Sequence, residues 1–469
     1  MQQSLTQWKR RKLQEASEKP SEVILREGLL VNMSDWKPDR VQAFMRDLTF
    51  TPRVVFDNGT PPALICCYQV RDAMLTLPRC YQGVAGSDTL DRLSDGEARQ
   101  FDFSGTLNDL QLGAFEKSCE ALRTSPHACI LTLPCGFGKT VVALGIAAAL
   151  KRKTLVVVHK ENLLEQWVER IKTFLPGART GIIQQSRAEF EGVDIALAML
   201  QTICAREMPP GCLESFGTVV LDEAHHLAAP YFSQLFFKLP CRHILGLTAT
   251  PKRKDGCSEI LHLFMGRFSF QLATRTDADV KVFANSWHNN FRCNHDPTPP
   301  EVQRYKTRLT IDQRRNAHIL DLCWQASQAG RHVICLSDRK DHLVDLKEKW
   351  ISQHPDVSCA LFIGGKTKDN LGERKRAEEG AVIILATFAM ASEGLDIPRL
   401  DTLILATPIG DVTQAMGRVL RPCATKKTPV IVDLCDDGCK AFGRLALMRK
   451  NCFERSAFQV LHEETPIFE

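Results

Sequence analysis

The sequence predicts an α/β protein with two parallel-sheet domains in tandem behind a small N-terminal α+β domain. Three observations predict it. From about residue 106 onward, short continuous apolar runs alternate with helical patterns, which is how strands of a parallel sheet covered on both faces read. One polar stretch, roughly 275–315 and rich in Asn, Asp, Pro and Arg, interrupts the alternation. Residues 1–105 follow a different pattern. The expected division is an accessory domain at 1–105, a first α/β domain at 106–275, a linker or crossover at 276–315 and a second α/β domain at 316–469. Three domains suit 469 residues at a prior of about 150 residues each.

In the N-terminal part, RVVFD (53–57), Asn58-Gly59 and ALICCYQV (63–70) read as a hairpin, with Pro61 and Pro62 lengthening or fraying the turn. ACILTL (128–133) reads as a buried strand, followed by a loop and a helix through VVALGIAAAL (141–150) that ends at Lys151-Arg152-Lys153, where cations suit the carbonyl end. TLVVVH (154–159) is the next strand and ENLLEQWVERIKTF (161–174) a helix, with strands continuing at VDIALAM (193–199), TVVLD (218–222) and HILGLT (243–248). The second series runs HVICLS (332–337), a helix with Leu343, Leu346 and Trp350 at helical spacing, then ALFIG (360–364), AVIILAT (381–387), TLILAT (402–407) and PVIVDL (429–434).

Composition excludes several classes. With 44% hydrophobic and 25% charged residues the chain is an ordinary globular protein. No apolar stretch follows the basic start, so a secretory signal is not expected. The longest apolar runs, 141–150 and 381–391, fall far short of the ~20 residues that span a bilayer. A soluble, intracellular protein is expected. The 18 cysteines are scattered without zinc spacing and read as reduced core residues. A net charge of +5 excludes a histone-like protein but leaves room for a basic groove; the clusters at 9–12, 252–254, 314–315, 374–376 and 426–427 read as solvated surface.

The chemistry starts at LPCGFGKT (133–140). A phosphate loop is G-x-x-x-x-G-K-[ST]; here Gly138, Lys139 and Thr140 fit, and Leu133 stands in place of the first glycine. The loop sits between a strand and a helix, as its chemistry needs. Backbone N–H groups from Gly136 through Phe137 to Thr140 can wrap phosphates at the helix N-terminus. Lys139 would reach the β/γ-phosphates and Thr140 would ligate Mg²⁺; Pro134 can help set the entry turn, and Cys135 is counted with the cofactor-binding residues. In VVLDEAHH (219–226), Asp222 and Glu223 leave a strand 83 residues after Lys139. Asp222 can hold Mg²⁺ and Glu223 can take a proton from the attacking water, which makes a hydrolysis site. His225 is given a coupling role in preference to a metal site. Gln111, in LNDLQ (107–111), has an amide that can both donate to and accept from adenine. In QAMGRVLR (414–421), Gln414, Gly417, Arg418 and Arg421 lie at i, i+3, i+4 and i+7, one face of a helix. A guanidinium aimed at a γ-phosphate from another domain is an arginine finger. Gly394 and Asp396 follow a buried strand and would form the matching cleft wall.

These motifs, with VVHKENLLEQW (157–167), AMLQT (198–202), GLTATP (246–251), VICLSDRK (333–340) and EGLDIPRLDTLILATP (393–408), occur in one order over about 106–450. In that order the chain resembles superfamily 2 helicases. Within them it looks most like the DEAH-box helicases of large DNA viruses and phages, including the poxvirus transcript-release helicase. In this family the loop begins with an apolar or small residue, so the site is expected to be intact. The resemblance implies two RecA-like domains with ATP between them and a strand across their tops. It implies ATP and Mg²⁺ as cofactors. It puts Lys139, Thr140, Asp222, Glu223, Gln414, Arg418 and Arg421 at ATP, Thr248 and Thr250 as couplers, and His159, Lys160, Gln201, Thr202, Ser337 and Thr387 on the strand. LNDLQ departs from the arginine-bearing adenine-reading segment, which puts base selectivity in doubt. The expected activity is an ATP-driven translocase that unwinds nucleic acid, DNA favoured over RNA. The alternatives are a translocase that strips RNA or protein from DNA, and a catalytically silent nucleic acid-binding scaffold. Transcription or replication machinery is the expected partner. If the protein is viral, the host cytoplasm or nucleus and the virion are its expected places.

Overall fold

The computed structural model describes residues 22–34, 36–53, 62–84, 88–134, 136–250, 253, 255–272, 279–293, 295–365, 367–393, 395, 397–421, 423, 426–461 and 467–468. The chain divides into two compact units, Met1–Leu133 with Gly138–Ala273, and Thr274–Glu469 with the loop residues Pro134–Phe137.

The first unit begins with short strands β1 (Glu22–Leu25), β2 (Leu29–Asn32), β3 (Thr49–Phe50), β4 (Ile65–Cys66), β5 (Gln69–Arg71), β6 (Met74–Leu77) and β7 (Asp88–Asp91), with a helix at Pro38–Asp47. Five of them form a sheet in the order β5-β6-β2-β1-β7, and β3 pairs with β4. The expected hairpin is corrected here. Segment 63–70 does not run as one strand: Ile65–Cys66 pairs with Thr49–Phe50, and Gln69–Arg71 turns at the left-handed Asp72 to pair with β6. Residues 54–61, which hold most of the other arm and its Asn-Gly turn, lie outside the described residues.

Val23, Leu25, Val31, Leu75 and Leu77 are buried in a core continuous with that of the following sheet. Arg79 fastens the two together. It is 4% exposed and donates to the carbonyls of Cys241 (2.8 Å) and Arg242 (2.9 Å), and more distantly to those of Leu239 and Arg26. A buried guanidinium with carbonyl acceptors only is held well by geometry, although burial pushes its pKa down.

The large sheet of this unit contains β8 (Ala128–Thr132), β9 (Thr154–Val158), β10 (Thr180–Gln184), β11 (Arg187–Ala188), β12 (Ile195–Met199), β13 (Thr218–Leu221), β14 (His243–Thr248) and β15 (Phe268–Gln271). Their order is β11-β10-β12-β9-β13-β14-β8-β15. Every pairing is parallel except that of the short edge strand β11. The helices at Lys139–Leu150 and Glu161–Phe174 link strands that are not neighbours, as in a doubly wound sheet.

The second unit holds β16 (Lys281–Trp287), β17 (Val333–Ser337), β18 (Cys359–Phe362), β19 (Ile383–Thr387), β20 (Thr402–Leu405), β21 (Val430–Asp436) and β22 (Gln459–Leu461), ordered β18-β19-β17-β20-β21-β16-β22 and parallel throughout. Ile334 and Leu336 face one core while Val333 and Cys335 face the other. That is why the segment reads as an unbroken apolar run.

The stretch expected as a linker at 276–315 is corrected. It contains β16, seated between β21 and β22, and a helix at Pro299–Ile311 capped by Thr298 with Glu301 three positions on. In β16 only Val282 and Phe283 are buried, so its polar residues hid the strand. The cluster at 314–315 is also corrected. Arg315 is fully buried and grips Asp436 through two 2.8 Å bonds, with a third of 2.7 Å to the Ala406 carbonyl. We expect Arg315→Leu to cost on the order of 3–5 kcal/mol, because it strands a buried carboxylate. Urea unfolding of the full chain measures this, and Arg315→Leu with Asp436→Leu should recover part of the loss.

Among the described residues every cysteine is free, and no described helix is long and apolar enough to cross a membrane.

Candidate nucleotide site and nucleic-acid face

The residues singled out in the first unit gather at the C-terminal ends of five adjacent parallel strands, β12-β9-β13-β14-β8. Lys139 follows β8, Thr248 ends β14, Asp222 and Glu223 follow β13, His159 and Lys160 follow β9, and Gln201 and Thr202 follow β12. Open α/β sheets bind ligands at this end.

The missing first glycine has a structural account. Leu133 extends the course of β8 and its side chain is fully buried. Its carbonyl oxygen accepts from Lys139 Nζ at 3.2 Å, across the loop. The loop's turning is done by Gly136 (φ +78°) and Gly138 (φ +81°). Its left-handed backbone favours glycine at Gly138, and a Cβ there would have to displace the end of the Gln111 side chain, 2.6 Å away. Gln111 stands beside the loop, as expected, but its Oε1 accepts from the Asn108 N–H (3.1 Å) in a capping box. Two-point reading of adenine would use the second lone pair of that oxygen or open the cap. Thr140 is the second residue of the helix Lys139–Leu150. Cys135, Gly394 and Asp396 lie outside the described residues.

Asp222 is held on both oxygens. Oδ2 accepts from Trp167 Nε1 (2.8 Å) and Oδ1 from the Glu223 N–H (2.9 Å). Burial, reinforced by the Glu223 carboxylate, pushes its pKa up. Sequence reasoning missed Trp167, which reads as core. The available signal was that a buried indole N–H needs an acceptor. Glu223 has a left-handed backbone (φ +46°), and strained non-glycine residues cluster at functional sites. Its Oε2 is buried without a hydrogen-bond partner among the described residues. His225 Nδ1 lies 3.4 Å from it. That same nitrogen meets Thr248 Oγ1 at 3.1 Å, which accepts from the Thr250 N–H at 3.1 Å. The three residues expected to couple thus form one chain of contacts. Thr140 and Asp222 offer hard oxygen donors beside a second carboxylate, Glu223, so the donor set fits Mg²⁺.

On the neighbouring strands, the Gln201 amide donates to the His159 carbonyl (2.9 Å) and Thr202 Oγ1 accepts from the Gln185 N–H (3.1 Å). Burial lowers the pKa of both His159 and Lys160.

In the second unit, Ser337 and Thr387 are register partners at the ends of β17 and β19. Ser337 is one of the residues expected on the strand. It is fully buried, and its hydroxyl is engaged with His342 Nδ1 (3.0 Å) and the Arg339 N–H (3.1 Å). Thr387 is 8% exposed and its Oγ1 accepts from the Met390 N–H. The helix through Gln414 spans only Thr413–Val419, so Arg421 falls beyond it and the four residues do not share one helix face. Arg418 Nε donates to the Ala391 carbonyl (2.9 Å).

Two RecA-like units, with a phosphate loop next to paired carboxylates, define an ATP-hydrolysing motor. A family model described as "Type III restriction enzyme, res subunit" matches residues 104–253, and the "Helicase conserved C-terminal domain" model matches 314–423. The chain belongs to the superfamily 2 helicases and is an ATP-dependent helicase. An inferred ATP-dependent RNA helicase of Acanthamoeba polyphaga mimivirus, L396, is 28% identical over 93% of this chain and 86% of its own length. The inferred helicase D10 of Escherichia phage T5 is 26% identical over 69% of this chain and 72% of its own length. The fold matches S. cerevisiae Dbp5 bound to RNA and ADP BeF3, with a TM-score of 0.54 and 14% identity, over 76% of this chain and 89% of that one. It also matches an HsdR fragment of a type I restriction enzyme from Vibrio vulnificus YJ016, with a TM-score of 0.55 and 18% identity, over 77% of this chain and 70% of that one.

Proposed function

We propose that this helicase hydrolyses ATP at the Lys139, Asp222 and Glu223 cluster to move along and unwind nucleic acid, DNA favoured. Lys139 and the loop N–H groups bind and orient the β- and γ-phosphates. Thr140 and Asp222 hold Mg²⁺, which would neutralise charge on those phosphates. Glu223 accepts the proton of the attacking water. Gln414, Arg418 and Arg421 of the second unit stabilise the triphosphate during turnover, with Gly394 and Asp396 beside it. His225, Thr248 and Thr250 pass the nucleotide state to His159, Lys160, Gln201 and Thr202, which grip the strand together with Thr387. Gln111 contacts the base. The observation that carries this reading is Glu223, left-handed and half-buried, whose Oε2 is buried without a hydrogen bond among the described residues, one residue from Asp222.

RNA is the second reading, favoured by the name of the mimivirus relative. The proposed setting is the transcription or replication machinery of a large DNA virus or phage, within the host cell. ATPase turnover measured with single- and double-stranded DNA and RNA separates the two. Single-stranded DNA should stimulate most. Its apparent affinity should fall steeply as salt rises, because phosphate contacts dominate. Equal turnover with and without every nucleic acid would sink the motor reading.

A further inference from the structure

Three histidine rings link the two ends of the site. His159 follows β9, and His225 and His226 follow the adjacent β13. The His159 and His226 ring centroids are 4.0 Å apart at 36°, and those of His225 and His226 are 4.3 Å apart at 37°. His226 thus contacts both of the other rings. We propose that His226 is the positioning residue that transmits strand engagement at His159–Lys160 to Glu223.

The outer rings are tied to different machinery. On one side, the His159 carbonyl accepts from the Gln201 amide (2.9 Å), and both residues belong to the strand contacts proposed above. On the other, His225 Nδ1 faces Thr248 Oγ1 (3.1 Å) and Glu223 Oε2 (3.4 Å), and the His225 carbonyl accepts from Arg253. His226 adds a link of its own: its backbone N–H donates to the Glu223 carbonyl at 3.0 Å. A shift of the His159 turn therefore reaches the Glu223 carbonyl through the His226 backbone and its carboxylate through the His226 and His225 rings.

The link works by packing. Burial first, then the neighbouring rings, push the pKa of His226 down to about 3 and that of His225 to about 4. Both rings stay neutral at pH 7, so the stack bears no charge that salt could screen. The rings are half-buried to buried and in contact, so a gap opened beside one of them forfeits its contacts.

The inference rests on the strand contact proposed for His159 and Lys160. The test uses the full chain as wild type, His226→Ala and His226→Phe. ATP turnover is measured without nucleic acid and at saturating single strand, and strand affinity is measured by fluorescence anisotropy. In His226→Ala, basal turnover and strand affinity should stay within about twofold, while stimulation by the strand falls by about tenfold or more. His226→Phe keeps a ring in the stack and should restore most of the stimulation. The proposal is overturned if the ratio of stimulated to basal turnover in His226→Ala matches wild type, whether or not both rates drop. Should His226→Ala fail to fold, His226→Leu fills the volume without a planar ring and is read the same way. An unchanged strand affinity in His159→Ala would instead contradict the underlying strand contact, so the two failures are distinguishable.

Discussion

Glu223→Gln should leave ATP binding within a few-fold of wild type and lower turnover by about 10²–10⁴-fold, the usual contribution of a general base. The substitution keeps side-chain length and the packing around the left-handed residue, and removes only the capacity to accept a proton. Asp222 stays anchored by Trp167 Nε1 at 2.8 Å, so the proposed cation ligand is undisturbed. The loss should therefore appear in kcat with little change in nucleotide affinity, the signature of an interaction made in the transition state. Rapid-quench turnover alongside equilibrium binding of a fluorescent nucleotide separates the two quantities. Turnover near wild type would remove Glu223 from the chemistry.

Lys139→Ala should fail differently. Lys139 opens the helix Lys139–Leu150 and spans the loop to the Leu133 carbonyl at 3.2 Å. Its ammonium lies where a phosphate loop concentrates positive charge, so it contributes to the ground state and to the transition state. The expected loss is about 10²–10³ in kcat/KM, with weakened nucleotide binding as a component. Binding and turnover should thus fall together in Lys139→Ala and separately in Glu223→Gln. A Lys139→Ala protein with normal nucleotide affinity would contradict the assignment of this loop to phosphate.

Much of this was legible in the residues because parallel strands buried on both faces leave an unmistakable trace. TLVVV at 154–158 and IILAT at 383–387 are strands with every residue buried, and the helix at 161–174 has the bounds its pattern predicts. The strand–loop–helix order around Lys139 and the strand exit at Asp222 and Glu223 were equally plain, since each is encoded locally. What escaped depends on long-range packing. Strand 281–287 lies near the sheet edge with only two buried residues, so composition disguised it as linker. Arg315 sits in a basic pair that reads as surface, and its partner Asp436 is 121 positions away. Ser337 shows why a motif position does not specify which atom acts, because its hydroxyl is committed to His342 inside the core. Trp167 is core at 2% exposure, and its second role could be seen only with the position of Asp222.

The central claim is that hydrolysis at this site drives strand movement. The most direct measurement is displacement of a labelled strand from a partial duplex, with saturating ATP and Mg²⁺, by wild type and by Glu223→Gln. Wild type should release the strand only when ATP is present, and Glu223→Gln should bind the same duplex and ATP without releasing it. Release by Glu223→Gln at the wild-type rate, or by wild type without ATP, would contradict the account.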